Sequence, residues 1–212
     1  MASTSDGSPG VPARSRARLP LLAILATWAL LAVTNLFGIP LASLWLIGLA
    51  WYTTAWLLTV AVTFGAAHLL WRRHRRRLAV AGLAAAALAG VGVVAVDWNS
   101  MYAHGWFRLH RSDFAVVAGL ADRGELDTDE FYGRPLPEPL RHLSVNERAA
   151  WIHSFDGDQK LLFVPAWIGL LDGAGGFAYH PASPPDTAVR YHCFGDPCQV
   201  GSAFGDGWYR VG

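Results

Sequence analysis

The stretch LLWRRHRRRL at residues 69–78 separates two long apolar segments, and it decides how the chain is arranged. Five of the six residues from Arg72 to Arg77 are arginines. Short loops rich in Lys and Arg stay in the cytoplasm, because moving several guanidinium groups through hydrocarbon costs too much free energy. We therefore predict a cytoplasmic loop here, from which the apolar segments on both sides cross to the outside.

Three apolar segments are long enough to cross a bilayer, since about 20 helical residues span a hydrocarbon core of roughly 30 Å. We predict spans at residues 19–37, 45–71 and 78–96, which together form a three-helix transmembrane region at residues 19–96. The second apolar segment begins at Leu41 and exceeds one straight crossing, and either tilt or an interfacial first turn or two explains this excess. A cleaved signal peptide is the alternative for the first segment, but its apolar core would be unusually long.

A second basic cluster, near the N-terminus, agrees with the arginine run. Residues 1–18 are rich in Ser, Gly and Pro, so the sequence predicts a disordered cytoplasmic tail. Both clusters require the same orientation, with the N-terminus in the cytoplasm and everything after the third span outside it. The residues that determine this topology are Arg14, Arg16, Arg18, Arg72, Arg73, Arg75, Arg76 and Arg77.

Charged side chains are distributed unevenly along the 212 residues. Residues 1–96 contain eight arginines and one aspartate, whereas residues 97–212 contain nine basic and fifteen acidic side chains. The two segments therefore carry net charges of +7 and −6. An acidic globular half repels phosphates, so we exclude nucleic acid as a partner. The lipid bilayer is the predicted partner, and binding of anionic head groups by the arginine loop is an alternative to a purely topological role.

Small residues recur on one face of the third apolar segment. Gly82, Ala86 and Gly90 are spaced four apart, which places them on the same side of a helix. Small side chains at that spacing let another helix approach closely in lipid. Because the chain contains two other predicted helices, we favour an intramolecular partner over a second copy of the protein.

Residues 97–212 have the composition of a single extracytoplasmic α+β domain with a mainly antiparallel sheet. Apolar residues recur at three and four positions between Phe114 and Ala121, which predicts a helix, and the pattern changes to that of strands after Arg148. Asp156-Gly157 reads as a hairpin turn, and Pro165 indicates an edge or a bulge. The predicted strands are residues 149–154, 160–168, 176–180, 188–193 and 208–211.

Cys193 and Cys198 are the two cysteines of the chain, and both fall on the predicted oxidising side. A disulfide is the natural interpretation, with free thiols or half of a metal site as alternatives. We expect the bridge to pin the loop between the last two strands. The sequence has no second Cys pair and no close His pair at ligand spacing, so we predict neither a metal nor a cofactor.

One set of side chains was weighed as a hydrolase site. His180, Asp186 and His192 could converge with Ser154 or Ser183 if the sheet folded suitably. The sequence lacks the G-x-S-x-G nucleophile elbow, and single histidines in polar loops are usually solvated. We therefore predict no catalytic residues and a protein that is not an enzyme.

The C-terminal half resembles small, uncharacterised three-span membrane proteins of GC-rich actinobacteria. The motifs that carry this resemblance are YGRPLP at residues 132–137, Leu140, Leu143-Ser144, FVPAWIG at 163–169, GGFAY at 175–179 and GDGW at 205–208. The resemblance covers about half of the chain. It implies a bacterial cell membrane and no particular activity.

These features predict a multi-pass protein of the cell membrane that presents an extracytoplasmic binding or scaffolding domain to a partner, another membrane or envelope protein. A subunit of a transport or signalling complex is one alternative, and an envelope enzyme of unknown reaction is another. Transport by this chain alone is disfavoured, because no ionisable residue lies deep in a predicted span.

Overall fold

Three long helices form the N-terminal part of the chain. The computed structural model describes residues 13–38, 46–128, 130–169, 173–181, 185 and 187–212, with side chains from Leu19 onward. The helices are α1 (Ala13–Leu36), α2 (Leu46–Arg72) and α3 (Arg76–Ala95). Each provides a stretch that is long and apolar enough to cross a membrane: Leu19–Leu36, Leu46–Arg72 and Arg76–Ala95. The prediction of three apolar helices of spanning length is confirmed.

Helix α1 begins earlier than the predicted span. Residues 13–18 are helical, whereas the sequence predicts a disordered tail there. Ala, Arg and Leu are strong helix formers, so no residue in this segment ends the helix at the hydrocarbon boundary. Pro20 lies inside α1, where its ring removes one backbone hydrogen bond. The rest of the predicted tail, residues 1–12, lies outside the described residues.

Polar side chains connect α1 to α2. The indole N–H of Trp28 donates a hydrogen bond to Thr63 Oγ1 over 3.3 Å, and the Thr59 hydroxyl donates to the carbonyl of Thr27 over 3.3 Å. Both threonines of α2 are buried. Hydrogen bonds between helices in lipid contribute about 0.6 kcal/mol each on average, so these two bonds orient the pair more than they stabilise it.

The small residues of α3 face α1. A Cβ added to Gly82 would lie 3.7 Å from Ile24 Cδ1, and one added to Gly90 would lie 3.1 Å from Trp28 Cη2. Ala86, between the two glycines, is buried in a cluster that contains Ile24. The predicted packing residues thus lie at a close approach between two helices of the same chain.

The C-terminal part consists of short helices followed by strands. The helices are α4 (Trp98–Leu109), α5 (Arg111–Asp122) and a 3₁₀ helix (Glu138–Leu143). The strands are β1 (Arg134–Pro135), β2 (Arg148–His153), β3 (Lys160–Ile168), β4 (Ala174–Tyr179), β5 (Arg190–Cys193), β6 (Asp196–Gly205) and β7 (Trp208–Val211). This order confirms the predicted fold class, in which apolar helices precede an antiparallel sheet region with short helices.

The seven strands form one antiparallel sheet in the order β1-β2-β3-β4-β7-β6-β5. Its register shifts between Pro165 and Trp167, because proline cannot donate to the neighbouring strand. An isolated antiparallel bridge joins Ser154 to Tyr191, and the Phe155 N–H donates to the Arg190 carbonyl over 3.0 Å. Strand β5 at one edge therefore contacts the end of β2, so the sheet curls back towards itself as in a small barrel.

Both faces of the central strands are buried. On β3, Leu162 and Val164 pack with the helices in one apolar cluster, while Leu161 and Phe163 belong to a second cluster on the opposite face. A strand buried on both sides carries a continuous apolar run instead of an alternating one. The helix-facing cluster also contains Phe107, Phe114, Val117, Phe177 and Trp208, and the other contains Ile152, Tyr191, Cys193, Cys198 and Val211.

Strand β6 was not among the predicted strands. It spans ten residues that include Pro197, Gly201 and Gly205, and in its first half only Cys198 and Val200 are buried. Glycine and proline are depleted in strands, so local preference gave no signal here. The strand forms because its neighbours β5 and β7 supply backbone partners on both sides.

Contacts divide the chain into two compact units. One comprises Met1–Asn35 with Ala50–Val96, and the other comprises Leu36–Leu49 with Asp97–Gly212. The second unit includes a segment that the sequence assigns to the transmembrane region. The predicted domains, residues 1–18, 19–96 and 97–212, remain predictions.

Candidate functional site

Two aromatic side chains are exposed on the C-terminal unit beside a buried third. Phe131 and Tyr132 are 63% and 53% exposed. Their ring centroids lie 5.7 and 5.4 Å from that of Phe194, which is itself buried. We call Phe131 and Tyr132, with Phe194 beneath them, the aromatic surface. Large aromatic rings of this kind are enriched at binding interfaces.

The backbone next to the aromatic surface is held in place. Gly133 has a φ of +79°, and a Cβ there would overlap the carbonyl of Ala149. Only glycine permits both that backbone conformation and that approach to β2. On the other side, the Glu130 carboxylate pairs with Arg148 over 3.1 Å. The loop that carries the two exposed rings is therefore held against β2 at Gly133, with an exposed ion pair at its other end.

A disulfide closes the turn that carries Phe194, the buried ring of the aromatic surface. Cys193 and Cys198 are bonded across the hairpin of β5 and β6, with a Cα–Cα separation of 5.8 Å. Phe194 and Gly195 form the turn inside this loop, with φ values of +51° and +111°. The predicted disulfide is present, but its predicted place between the last two strands is wrong, because β6 was missed and β7 follows it.

A second cluster contains two imidazoles and a carboxylate. His110 lies at the junction of α4 and α5, Asp113 lies in the first turn of α5, and His142 lies on the 3₁₀ helix. The distance between His142 Nε2 and His110 Nδ1 is 3.2 Å. Asp113 Oδ2 lies 3.2 Å from His142 Nε2 and 3.5 Å from His110 Nδ1. We call these three side chains the His–Asp cluster.

One side of the His–Asp cluster is covered by Trp106. Its ring centroid lies 4.2 Å from that of His110 and 6.4 Å from that of His142. The side chains of His110, Asp113 and His142 retain 21%, 35% and 39% of their exposure, so the cluster is open to solvent. Trp106 thus shields the cluster on one side and leaves the other side open to solvent.

The arginines adjoining the His–Asp cluster are paired elsewhere. Arg111 forms a two-bond pair with Asp206, at 2.7 and 3.0 Å. Hydrogen bonding within the pair, together with the opposite charge of the partner, raises the pKa of Arg111 and lowers the pKa of Asp206. Arg141 lies 3.8 Å from Glu147. Arg111 and Arg141 thus have carboxylate partners of their own.

A recess of about 190 Å³ lies beside β4 and β7. It is lined by Tyr102, Trp167 and Arg210 among others. Burial raises the pKa of Tyr102, so its phenol remains protonated. Arg210 pairs with Asp97 over 2.9 Å. This volume is below the range of about 300 to 1,000 Å³ that is typical of small-molecule sites.

The residues of the weighed hydrolase site have other roles. Ser154 Oγ accepts a hydrogen bond from the Gln159 N–H over 3.1 Å and so closes the β2–β3 turn. The ring of His192 packs against Phe155 with centroids 3.7 Å apart. Ser183 and Asp186 lie outside the described residues. Ser154 therefore serves the turn and His192 the sheet surface, while the backbone N–H of His180 donates to the Gly207 carbonyl over 2.9 Å.

Five of the eight arginines of the predicted topology signal lie at the α2–α3 junction. All five side chains from Arg72 to Arg77 are exposed, and the guanidinium carbon of Arg76 lies 5.2 Å from the ring centroid of Trp71. A cation above an indole face is attracted by the electron density of the ring. The side chains of Arg14, Arg16 and Arg18 lie outside the described ones.

Sequence reasoning missed the His–Asp cluster. Its only local signal is the i, i+3 spacing of His110 and Asp113, and the third member is 32 positions away from His110. The 3₁₀ helix contacts α5, and this contact brings His142 to the pair.

Compared with known proteins, the chain matches no family model, no curated protein and no solved structure.

Proposed function

We propose that this chain is a multi-pass protein of a bacterial cell membrane that binds a partner protein of the envelope through its aromatic surface. In this proposal the N-terminus and the arginine loop are cytoplasmic, and the C-terminal domain is extracytoplasmic. The single observation that carries the binding role is the exposure of Phe131 and Tyr132 on a fixed backbone. The bacterial source rests on the sequence resemblance alone.

The orientation rests on charge and on the disulfide. Five arginines lie in the loop between α2 and α3, and Lys/Arg-rich loops are retained in the cytoplasm. Because one helix, α3, separates this loop from the C-terminal part, the two lie on opposite sides of the membrane. The bond between Cys193 and Cys198 is typical of a compartment more oxidising than the cytoplasm.

Cysteine labelling in intact cells tests the orientation. Both native cysteines are in the disulfide, so the wild-type chain offers no thiol to a membrane-impermeant maleimide. We expect Asp158→Cys, in the β2–β3 turn, to be labelled in intact cells, and His74→Cys to be labelled only after the membrane is opened. If intact cells were labelled at His74→Cys and not at Asp158→Cys, the proposed topology would be wrong.

The chemistry of the aromatic surface indicates the kind of partner. Two exposed rings can bury an apolar side chain, and hot spots of protein interfaces are rich in such residues. The surrounding domain is acidic, with a net charge of −6 for residues 97–212, and Glu130 and Asp196 flank the aromatic residues in the sequence. We infer a partner that inserts an apolar side chain from a basic surface, since opposite charges steer association.

The geometry favours binding without rearrangement. The loop is held by Gly133 against β2, and the hairpin beneath it is closed by the disulfide. A surface that is ordered before binding loses little conformational entropy when the complex forms. A rigid aromatic surface is therefore better suited to specific recognition than a mobile loop with the same residues.

Site-specific photocrosslinking tests the binding role. A photoreactive residue at Tyr132 is expected to form one discrete protein adduct in intact cells, and Phe131→Ala in the same chain is expected to remove most of it. The matched control carries the photoreactive residue at Asp158, which is also exposed but lies in the β2–β3 turn. Adducts with lipid alone, or equal adducts at both positions, would contradict the proposal.

A further inference from the structure

We propose that His110, Asp113 and His142 form a binding site for a divalent transition-metal ion, with Zn²⁺ as the ion that fits best. This site is separate from the aromatic surface, and its existence does not depend on the proposed function. The inference rests on the relative positions of three donor atoms, on the hydrogens they can carry and on the surroundings of the cluster.

The spacing of the three donor atoms matches that of ligands around one ion. Ligand atoms bound at about 2.0 to 2.1 Å to a tetrahedral Zn²⁺ lie about 3.3 Å from one another. The three separations in the His–Asp cluster are 3.2, 3.2 and 3.5 Å. An ion at ordinary bond lengths can thus reach all three atoms at once.

Hydrogen bonds among the three side chains do not pair every one of the facing atoms with another. Each facing ring nitrogen carries at most one hydrogen, and an ionised carboxylate carries none. If both nitrogens donate to Asp113, two N–H groups face each other across 3.2 Å. If His142 donates to His110, the His110 nitrogen presents a lone pair to the carboxylate oxygen. A cation at the centre accepts lone pairs from all three atoms and removes the conflict.

The donor set selects the kind of ion. Imidazole nitrogens suit Zn²⁺ and its first-row neighbours, whereas Mg²⁺ and Ca²⁺ prefer oxygen ligands. Asp113 supplies one negative charge, which offsets the repulsion between the cation and the N-terminus of α5. Arg111 and Arg141 have carboxylate partners of their own, so no unpaired guanidinium is left beside the site from these two residues.

The site has three protein ligands and an opening. A tetrahedral ion with three protein ligands keeps its fourth position for water or for an incoming ligand, as in zinc sites that exchange ligands. Trp106 covers one side of the cluster, so this position faces the solvent-accessible side. The ion would also link the α4–α5 junction to the 3₁₀ helix, joining residues 32 apart in the chain.

Metal titration of the full-length protein tests the site. The protein is purified in detergent with a tag that contains no histidine, and bound metal is removed with a chelator. Calorimetric titration with Zn²⁺ is expected to give one ion per chain, and titration with Co²⁺ is expected to give the visible absorption of a tetrahedral complex. His142→Ala and His110→Ala are each expected to weaken the affinity by about 100-fold or more, since even outer-shell changes cost 10- to 100-fold.

Two further variants make the result decisive. Asp113→Asn keeps the size of the side chain and removes its charge, and it is expected to weaken Zn²⁺ binding at least tenfold, in line with the usual effect of altering a metal site. His153→Ala removes an exposed histidine of β2 outside the cluster and is expected to bind like the wild type. Circular dichroism checks that each variant is folded. Equal Zn²⁺ affinity of the wild type and a folded His110→Ala/His142→Ala variant would overturn the proposal.

Discussion

The two parts of the chain place the same apolar residue types in opposite surroundings. In α3, Leu88 is 74% exposed, and comparable leucines and valines cover the outside of all three long helices. In the sheet, Leu161 and Phe163 have no exposed surface. A long helix covered with exposed aliphatic residues along its whole length suits a lipid environment, whereas the sheet residues need contact with other side chains. Apolar composition alone therefore does not say what an apolar residue contacts.

The largest expected effect of this difference is on large-to-small substitutions. Phe163→Ala removes a ring from the interior of the curled sheet, and a buried Phe→Ala change usually costs about 3 to 5 kcal/mol of unfolding free energy. Leu88→Ala removes an exposed side chain from α3 and is expected to change the stability by less than about 0.5 kcal/mol. Thermal or denaturant unfolding of both variants in detergent gives the comparison. Similar losses for the two would mean that Leu88 is buried.

The disulfide sharpens the comparison, because it acts on the C-terminal unit alone. Replacing Cys193 and Cys198 by alanine removes a short covalent loop and is expected to lower the stability of that unit by about 2 kcal/mol in the chain-entropy model. A reducing agent added to the wild type is expected to have the same effect on the unfolding transition of the sheet. The helicity of the three long helices, followed by far-ultraviolet circular dichroism, is expected to stay unchanged. If the sheet and the three long helices both lost stability in the variant, the two units would unfold together.

Sequence predicted the two parts unequally, for a physical reason. The long helices follow from local properties, apolar length and flanking arginines, which do not depend on distant residues. Strand β3 was also predicted at its observed bounds, since the apolar run from Lys160 to Ile168 is buried on both faces. Strand β6 was missed, because its backbone partners on β5 and β7 make it a strand despite its glycines and its proline.

The candidate sites show the same limit. The disulfide could be predicted because two cysteines five positions apart can pair only with each other within the chain. The His–Asp cluster and the aromatic surface could not, because each depends on a residue from a distant segment. His142 reaches His110 through the packing of the 3₁₀ helix on α5, and Phe194 reaches Tyr132 through the curl of the sheet.

A glycine substitution tests the close approach of α1 and α3. A side chain on Gly90 would meet the Trp28 ring, whereas one on Gly92 has nothing within 4 Å. Gly90→Leu is expected to destabilise the helix bundle by about 1 to 1.5 kcal/mol, the lower part of the usual range for overpacking, because Trp28 is only partly buried and can turn. Gly92→Leu is the matched control and is expected to be neutral. Unfolding in a denaturing detergent measures both, and equal effects would place Gly90 away from α1.

The smallest expected effect concerns pH and the start of α4. Asp97 accepts a hydrogen bond from the Ser100 N–H over 2.9 Å and another from Arg210 over 2.9 Å, and these bonds lower the pKa of its carboxyl below the ordinary value of 3.8. A lowered folded-state pKa stabilises the protein above the unfolded pKa, and this stabilisation is lost as the pH falls through the folded pKa. Because Asp97 is largely exposed, its pair with Arg210 contributes less than about 1 kcal/mol.

Asp97→Asn distinguishes the contribution of the cap from that of the ion pair. Asparagine caps a helix about as well as aspartate, but it carries no charge that could pair with Arg210. We expect the variant to melt slightly below the wild type at pH 7, and we expect this difference to disappear as the pH falls through the lowered pKa of the Asp97 carboxyl. The difference in melting temperature should therefore shrink only below about pH 4, and added salt should reduce it at neutral pH. A difference in melting temperature that does not respond to acid or to salt would mean that the shape of the cap, and not the charge of Asp97, stabilises this junction.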